Sequence, residues 1–423
     1  MWDYQHRVLH TENDKMATEE APRFILFVPP VPLPPTIAAL KTAFADTLTQ
    51  VLREVASASA ECSPAAILEI ALACPHLAGK QDTPRSQLYS ETQSALAALY
   101  KVICVIAAAE NINVEDADGV DVRVIPVAWS PGRDWFEDEA SSEGPVLSIA
   151  GLAQANRAWQ YAFGVESEAG EAMVRAFVTA KGSGGTVNRL QGNKPVQRDL
   201  NSANDPLSSV SRSNTTQPTG QRHYNSVVGG TFDHLHIGHK LLLTMTLFAA
   251  DQATSKQPRS SIIGITGDEL LKNKKHISVL ESWLDRQRGV ADFCDSLIDF
   301  SPASSTAKKQ TVTRNDTGPN GKSVDVYYPS GYVLKCTEIQ DPFGPTITEE
   351  DLGALIISAE TRSGGKAVNE KRKEKGWKEL EVFEVDVLDA MEEGGAVGEG
   401  FESKLSSTAI REKIERKKRE AKV

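Results

Sequence analysis

The stretch Gly229–Lys240, GGTFDHLHIGHK, places three of the chain's eight histidines within six residues. The residues before it, SVV, form a short run with two β-branched valines. Those after it, GHKLLLTMTLFAAD, put Leu241, Met245 and Phe248 on one helical face. The histidines therefore occupy the turn between the carboxyl end of a strand and the amino end of a helix. Free backbone N–H groups and the helix dipole both favour an anion at such a turn. Gly229 and Gly230 let the backbone come close to a phosphate, Thr231 adds a hydroxyl, and the ring N–H groups of His236 and His239 flank the helix start. Two alternatives compete with phosphate handling. His-x-His beside Asp233 could bind zinc, but no Cys/His cluster completes a tetrahedral set, and His223 and His276 are the only other histidines nearby in sequence. The histidines could also be helix-start residues without chemistry.

Around this turn, residues 223–423 alternate strand and helix signals. After the first strand and helix, RSSIIGITG is a strand and ESWLDRQRGVADFCDSLIDF an amphipathic helix. A Ser/Thr/Asn/Gly-rich insertion over 301–323 reads as a surface loop, with short strands near 324–328 and 332–339. ALIIS (354–358) and ELEVFEVDVL (379–388) are strands, and SSTAIREKIERKKREAK is a closing helix. Repeated crossovers of this kind imply an α/β class with a parallel, Rossmann-like sheet and ligands at the carboxyl ends of its strands.

Residues 1–181 read as a second α/β domain without a chemical motif. RFILFV (23–28) and DVRVIPVAW (121–129) are strand-like, Thr36–Ala56 is helical, AAILEIAL (65–72) and Leu99–Ala109 are apolar, and 150–180 is again helical. Between them, 182–222 is rich in Ser, Asn, Gly, Thr and Gln with few apolar anchors, and reads as a flexible linker.

A net charge of −11 argues against nonspecific nucleic-acid binding, and the basic runs Lys371–Lys375 and Arg416–Lys422 are broken by glutamates into solvated helix faces. The N-terminal residues are polar, no stretch reads as a membrane span, and five scattered cysteines form neither a disulfide framework nor a CxxC knuckle. The expectation is a cytoplasmic protein that engages neither nucleic acid nor membrane and has no protein-bound metal.

GTFDHLHIGH is similar to the HxGH signature of the nucleotidyltransferase superfamily, which also includes the class I aminoacyl-tRNA synthetases. Its second signature, Ser-Ser-Thr-x-Ile-Arg at a helix start, is matched by SSTAIR at Ser406–Arg411, about 170 residues downstream. LLKNKK (270–275) after the second strand, DPFGPT (341–346) and SAETRSGGKAVNEKR (358–372) around the fourth narrow the resemblance to eukaryotic, fungal-type phosphopantetheine adenylyltransferases over Tyr224 to the C-terminal helix. The 301–323 insertion and EEGGAVGEG (392–400) depart from that pattern as longer loops. GPNGKS (318–323) resembles a P-loop tail but carries Asp316 where glycine is needed and precedes a strand pattern. Animal relatives fuse this domain to a dephospho-coenzyme A kinase, and that second activity is not expected here.

The resemblance implies transfer of AMP from ATP, carried with Mg²⁺, to 4′-phosphopantetheine. His236, His239, Thr231 and one of Lys272 or Lys274 would serve the chemistry. Gly229, Gly230, Thr231, Phe232, His239, Arg362, Ser406, Ser407, Thr408 and Arg411 would hold ATP, with Thr361 and Gly364 nearby; Arg286 and Arg288 are alternatives for a further cationic role. The same fold acting on another acceptor, as a cytidylyltransferase or a pyridine-nucleotide adenylyltransferase, is the alternative. A scaffold role toward other coenzyme A-making enzymes, through residues 1–180, would be compatible with catalysis.

Overall fold

The computed structural model describes residues 21–60, 65–115, 119–133, 141–182, 220–252, 258–386 and 406–420. Most of the expected 182–222 linker and the EEGGAVGEG loop lie outside the described residues.

The first half builds a four-stranded parallel sheet. Its elements are β1 (Arg23–Val28), α1 (Ile37–Ala60), β2 (Ile67–Ala73), α2 (Arg85–Glu110), β3 (Asp121–Val127), α3 (Ile149–Gln154), β4 (Trp159–Gly164) and α4 (Glu168–Lys181), with strand order β3-β2-β1-β4. β1, β2 and β3 are buried along nearly their whole length, which is why they read as continuous apolar runs rather than alternating ones. α1 buries Leu40, Phe44, Leu48 and Val51 at helical spacing against them. α2 starts after Pro84 and ends at Asn111, whose left-handed φ of 56° closes the last turn. The segment 150–180, expected to be helical, contains β4 between two helices. Its Gln160 and Tyr161 are exposed at the sheet edge, so it lacks the buried run that marks β1–β3.

The second half forms a seven-stranded sheet. It contains β5 (Asn225–Gly230), α5 (Ile237–Ala249), β6 (Arg259–Thr266), α6 (Trp283–Ile298), β7 (Gln310–Asn315), β8 (Lys322–Tyr327), β9 (Tyr332–Ile339), β10 (Ala354–Ser358), α7 (Arg362–Glu374), β11 (Glu381–Val385) and α8 (Ser407–Glu420). The order is β11-β10-β5-β6-β9-β8-β7, parallel from β11 to β9 and antiparallel at the β9-β8-β7 end. The 301–323 insertion is therefore not all loop. Gln310–Asn315 becomes an edge strand whose polar side chains face water, and residues 318–321 of GPNGKS form the turn that returns it into β8. From β5 the chain crosses to β6 on one side, while β10 pairs on the other, so the sheet opens a crevice at the carboxyl ends of β5 and β10.

The two sheets share one continuous apolar core. α2 packs along α5, with the Tyr89 ring 4.6 Å from Phe383 and 6.2 Å from Phe248, and the Arg85 guanidinium 4.9 Å over Phe248. Backbone bonds Gly144 N–Ile298 O (3.0 Å) and Phe300 N–Ser142 O (2.9 Å) add a second seam. α2 is long and apolar enough by length and composition to span a bilayer, but 72% of its most apolar window is buried inside the fold, as in a core helix.

Candidate active site

The first geometric feature is how the chain leaves β5. Phe232 and His234 take left-handed φ values of 52° and 48°, a conformation that costs a non-glycine residue roughly 1 kcal/mol or more. The tertiary fold holds both. Phe232 is buried, and His234 donates from its backbone to Glu281 (2.7 Å) and from ring Nε2 to the Val279 carbonyl (2.8 Å). His234 thus shapes the turn. Gly230 is required sterically, because a Cβ there would lie 2.9 Å from the Phe232 ring.

His236 is the residue that caps α5, and among the described residues no side chain caps that helix start, which leaves its first N–H groups for an incoming anion. The rings of His236 and His239 stack at 3.8 Å, and Phe232 lies 5.4 Å from His239. Gly238 between them makes room: a Cβ would approach the His236 ring to 3.2 Å. Among the described residues both Nδ1 atoms are buried without a hydrogen-bond partner.

Burial, reinforced by the Lys240 charge and by His234, pushes His236 down to about 4; burial and the neighbouring His236 and His234 hold His239 well below the usual imidazole range. Both are neutral at pH 7. An unfolded imidazole titrates near 6.5, so between that value and about 4 the unfolded chain binds protons that the folded chain refuses. Stability is unaffected above pH 7 and falls as pH drops through this window, by roughly 3 kcal/mol for His236. Urea midpoints measured between pH 7 and 4.5 should show this slope, and His236→Ala should flatten it.

A cavity of about 750 Å³ opens at the carboxyl ends of β5 and β10. Gly229, Gly230, Thr231, Phe232, His236 and His239 line one wall, and Ser406, Ser407, Thr408 and Arg411 another. The amino ends of α5 and α8 meet at it, so two helix dipoles converge on the same space.

Arg411 departs from its expected place on a phosphate. Its guanidinium is buried and bonded to Asp233, to the Lys275 carbonyl (3.0 Å) and to the Thr408 hydroxyl (3.1 Å). Asp233 in turn accepts from the Glu281 backbone (2.9 Å). This ion pair joins the two motifs across 178 residues. The sequence held a signal for it: an aspartate inside an apolar strand–turn–helix needs a cation once buried.

Arg362 also lies elsewhere, on the exposed face of α7, where a bidentate pair with Glu384 absorbs its charge; Thr361 and Gly364 beside it do line the cavity. Lys272 is exposed and paired with Glu269, whereas Lys274 borders the cavity. Arg286 is fully buried and binds the Thr231 and Thr266 carbonyls (2.7 and 2.9 Å), the Glu281 carbonyl and Asp268, tying the ends of β5 and β6 together. Arg288 is exposed beside Asp285. Sequence reasoning missed Asp341, which lines the cavity and turns DPFGPT by accepting from the Phe343 and Gly344 N–H groups at 2.7 and 2.9 Å. An Asx turn at Asp-Pro was the available signal. Among the described residues no three of His, Cys, Asp and Glu converge to hold a metal ion.

Comparison with known proteins fits this geometry. A cytidylyltransferase-like family model matches residues 227–413, and a domain of unknown function matches residues 16–198. The chain is 35% identical over 189 residues to an uncharacterized protein of Schizosaccharomyces pombe, covering 45% of this chain and 48% of that one. It is 34% identical over 187 residues to phosphopantetheine adenylyltransferase of Saccharomyces cerevisiae, covering 44% and 47%. In both cases it spans about half the length of the relative. Phosphopantetheine adenylyltransferase of Pyrobaculum aerophilum is 30% identical over 193 residues, which are 45% of this chain and 92% of that protein. With 92% of that archaeal protein matched at 30% identity, and the cytidylyltransferase-like model matching the half that carries the cavity, the chain belongs to the phosphopantetheine adenylyltransferase family of nucleotidyltransferases.

Proposed function

We propose that this protein transfers AMP from ATP to 4′-phosphopantetheine, giving dephospho-coenzyme A and pyrophosphate, as a cytoplasmic enzyme of coenzyme A synthesis. The observation that carries this is the single cavity bounded by the HxGH helix start on one side and the SSTAIR helix start on the other.

A phosphate oxygen of the acceptor attacks the α-phosphorus in line; the new P–O bond forms as the bond to the β-phosphate bridge breaks, and pyrophosphate carries off the electron pair. The attacking group is already an anion, so neither a covalent enzyme intermediate nor a strong general base is needed. The enzyme must bring two polyanions together and stabilise charge as it moves. Neutral imidazoles suit this. His236 and His239 each donate one N–H to phosphate oxygens without a fixed positive charge to trap the product. Thr231 orients the attacking phosphate, and the α8 start with Ser406, Ser407 and Thr408 holds the β- and γ-phosphates. Arg411 acts by fixing that helix start against Asp233. The donors suit a triphosphate whose Mg²⁺ is held mainly by its own oxygens and water, and that ion supplies neutralisation of phosphate charge when bound.

Lys274 is the better candidate for the lysine that bridges nucleophile and α-phosphate, because it borders the cavity while Lys272 pairs with Glu269 in solvent. Lys274→Ala is expected to lower kcat/KM by about a hundredfold and Lys272→Ala by less than about threefold, in steady-state pyrophosphate release. The functional assignment itself is tested by pyrophosphate release with ATP and Mg²⁺ on three acceptors. Activity with 4′-phosphopantetheine supports it; activity confined to nicotinamide mononucleotide or phosphocholine assigns the fold to another acceptor.

A further inference from the structure

The residue after His239 points away from the cavity chemistry. Lys240 is buried, with only 6% of its side chain exposed, and its Nζ lies 2.5 Å from Asp121 Oδ1 and 3.1 Å from the Val122 carbonyl. Both acceptors belong to the start of β3, in the other sheet. An ammonium taken out of water needs a carboxylate, so the helix carrying the histidine pair keeps its charge balance only with the first half of the chain docked on it. The carboxylate is itself fixed from behind: Arg123 holds Asp121 Oδ2 through Nη2 (2.6 Å) and Nε (3.0 Å), and Asp121 N donates to the Ala66 carbonyl (2.9 Å).

The other motif helix meets the same region. Lys413, two residues beyond Arg411 on α8, pairs with Glu115 at 3.5 Å. Glu115 and Asp121 flank one connection between α2 and β3, whose described ends are stitched by Val120 N to the Asn113 carbonyl (2.8 Å). Both walls of the cavity therefore rest on the same part of the first sheet. Nearly the whole Pyrobaculum protein, 92% of it, is matched by 45% of this chain. In this chain the first half supports α5 through the Lys240–Asp121 pair.

We infer that Asp121 is a positioning residue for nucleotidyl transfer: through Lys240 it fixes the helix start that aims His236 and His239. The inference rests on the function proposed above. The ionisable groups that electrostatically face this pair include Arg123, Cys104 and Tyr100 from the first half and His236 from the turn. Lys240 also lies close enough to add to the burial that lowers the proton affinity of His236, so a change in its charge is read at a cavity histidine.

The test is a double-mutant cycle in the full chain on Asp121→Asn and Lys240→Met, reading kcat and KM for pyrophosphate release, the urea midpoint and the NMR titration of His236. Each single variant is expected to lose about tenfold or more in kcat per folded molecule while KM for ATP moves less than about threefold, since small misplacements of catalytic groups cost rate before binding. The double variant should recover most of that loss, because it removes the buried cation together with its carboxylate. His236 should titrate higher in Lys240→Met and lower in Asp121→Asn. Loosened packing alone would raise both. Kcat within twofold of the parent in both singles, or upward shifts of His236 in both, overturns the inference. If Asp121→Asn does not fold, a folded double variant with near-parent kcat supports the pair as a unit; a double variant that is unfolded or as slow as Lys240→Met contradicts it. A parent protein inactive with 4′-phosphopantetheine would defeat the functional proposal, while the histidine titrations would still decide this inference.

Discussion

His239→Ala should lower kcat for pyrophosphate release by about 10²–10³-fold and leave the melting temperature nearly unchanged. The two halves of this expectation have separate causes. The activity loss follows from removing a preorganised donor at the cavity wall, in a site where water offers no equivalent replacement. Stability changes little because the ring carries a buried Nδ1 with no partner, so truncation removes an unsatisfied polar atom along with its packing on His236 and Phe232. His236→Ala should behave similarly in rate, and both substitutions should flatten the acid limb of stability, since both imidazoles are held below their ordinary range. A folded His239→Ala protein turning over within threefold of the parent would remove this histidine from the mechanism.

The second large effect concerns the latch between the motifs. Arg411→Met leaves Asp233, whose side chain is 0% exposed, without its cation. Breaking a buried pair from one side costs roughly 3–5 kcal/mol, a large share of the 5–15 kcal/mol typical of a folded domain. The urea midpoint should fall accordingly, and activity should fall with it because Ser406–Thr408 lose their fixed distance from the histidines. Asp233→Asn combined with Arg411→Met should recover much of the stability and little of the activity. That separates the latch's two consequences, since two neutral side chains leave no buried charge unbalanced but do not restore the placement of α8. An Arg411→Met variant with an unchanged midpoint would mean that the pair contributes nothing to docking.

How much of this was legible in sequence depended on how local the determinants were. GGTFDHLHIGH carries its own turn glycines, cap position and following apolar face, so strand, turn and helix could be read from consecutive residues. SSTAIR was legible for the same reason. β4 was hidden because Trp159–Gly164 is a partly exposed edge strand set between two short helices, without the buried apolar run of a central strand. β7 was hidden because QTVTRN is almost entirely exposed and is a strand only through its pairing with β8. Side-chain roles failed where partners were distant. Arg362 reads as a phosphate ligand until Glu384 is placed beside it, and Lys272 and Lys274 differ only in which side of a short turn they occupy. Likewise, Lys240 looks like an ordinary helix lysine until β3, more than a hundred residues earlier, is seen to hold it.

In the proposed reaction this cavity joins an adenylyl group to a phosphorylated acceptor without passing it through the protein. Incubation with ATP labelled at the α-phosphate, Mg²⁺ and 4′-phosphopantetheine tests this in one measurement. Label is expected in dephospho-coenzyme A, in step with unlabelled pyrophosphate, and none is expected on the denatured protein. Label bound to the protein, or recovered as AMP with the acceptor unchanged, would contradict it.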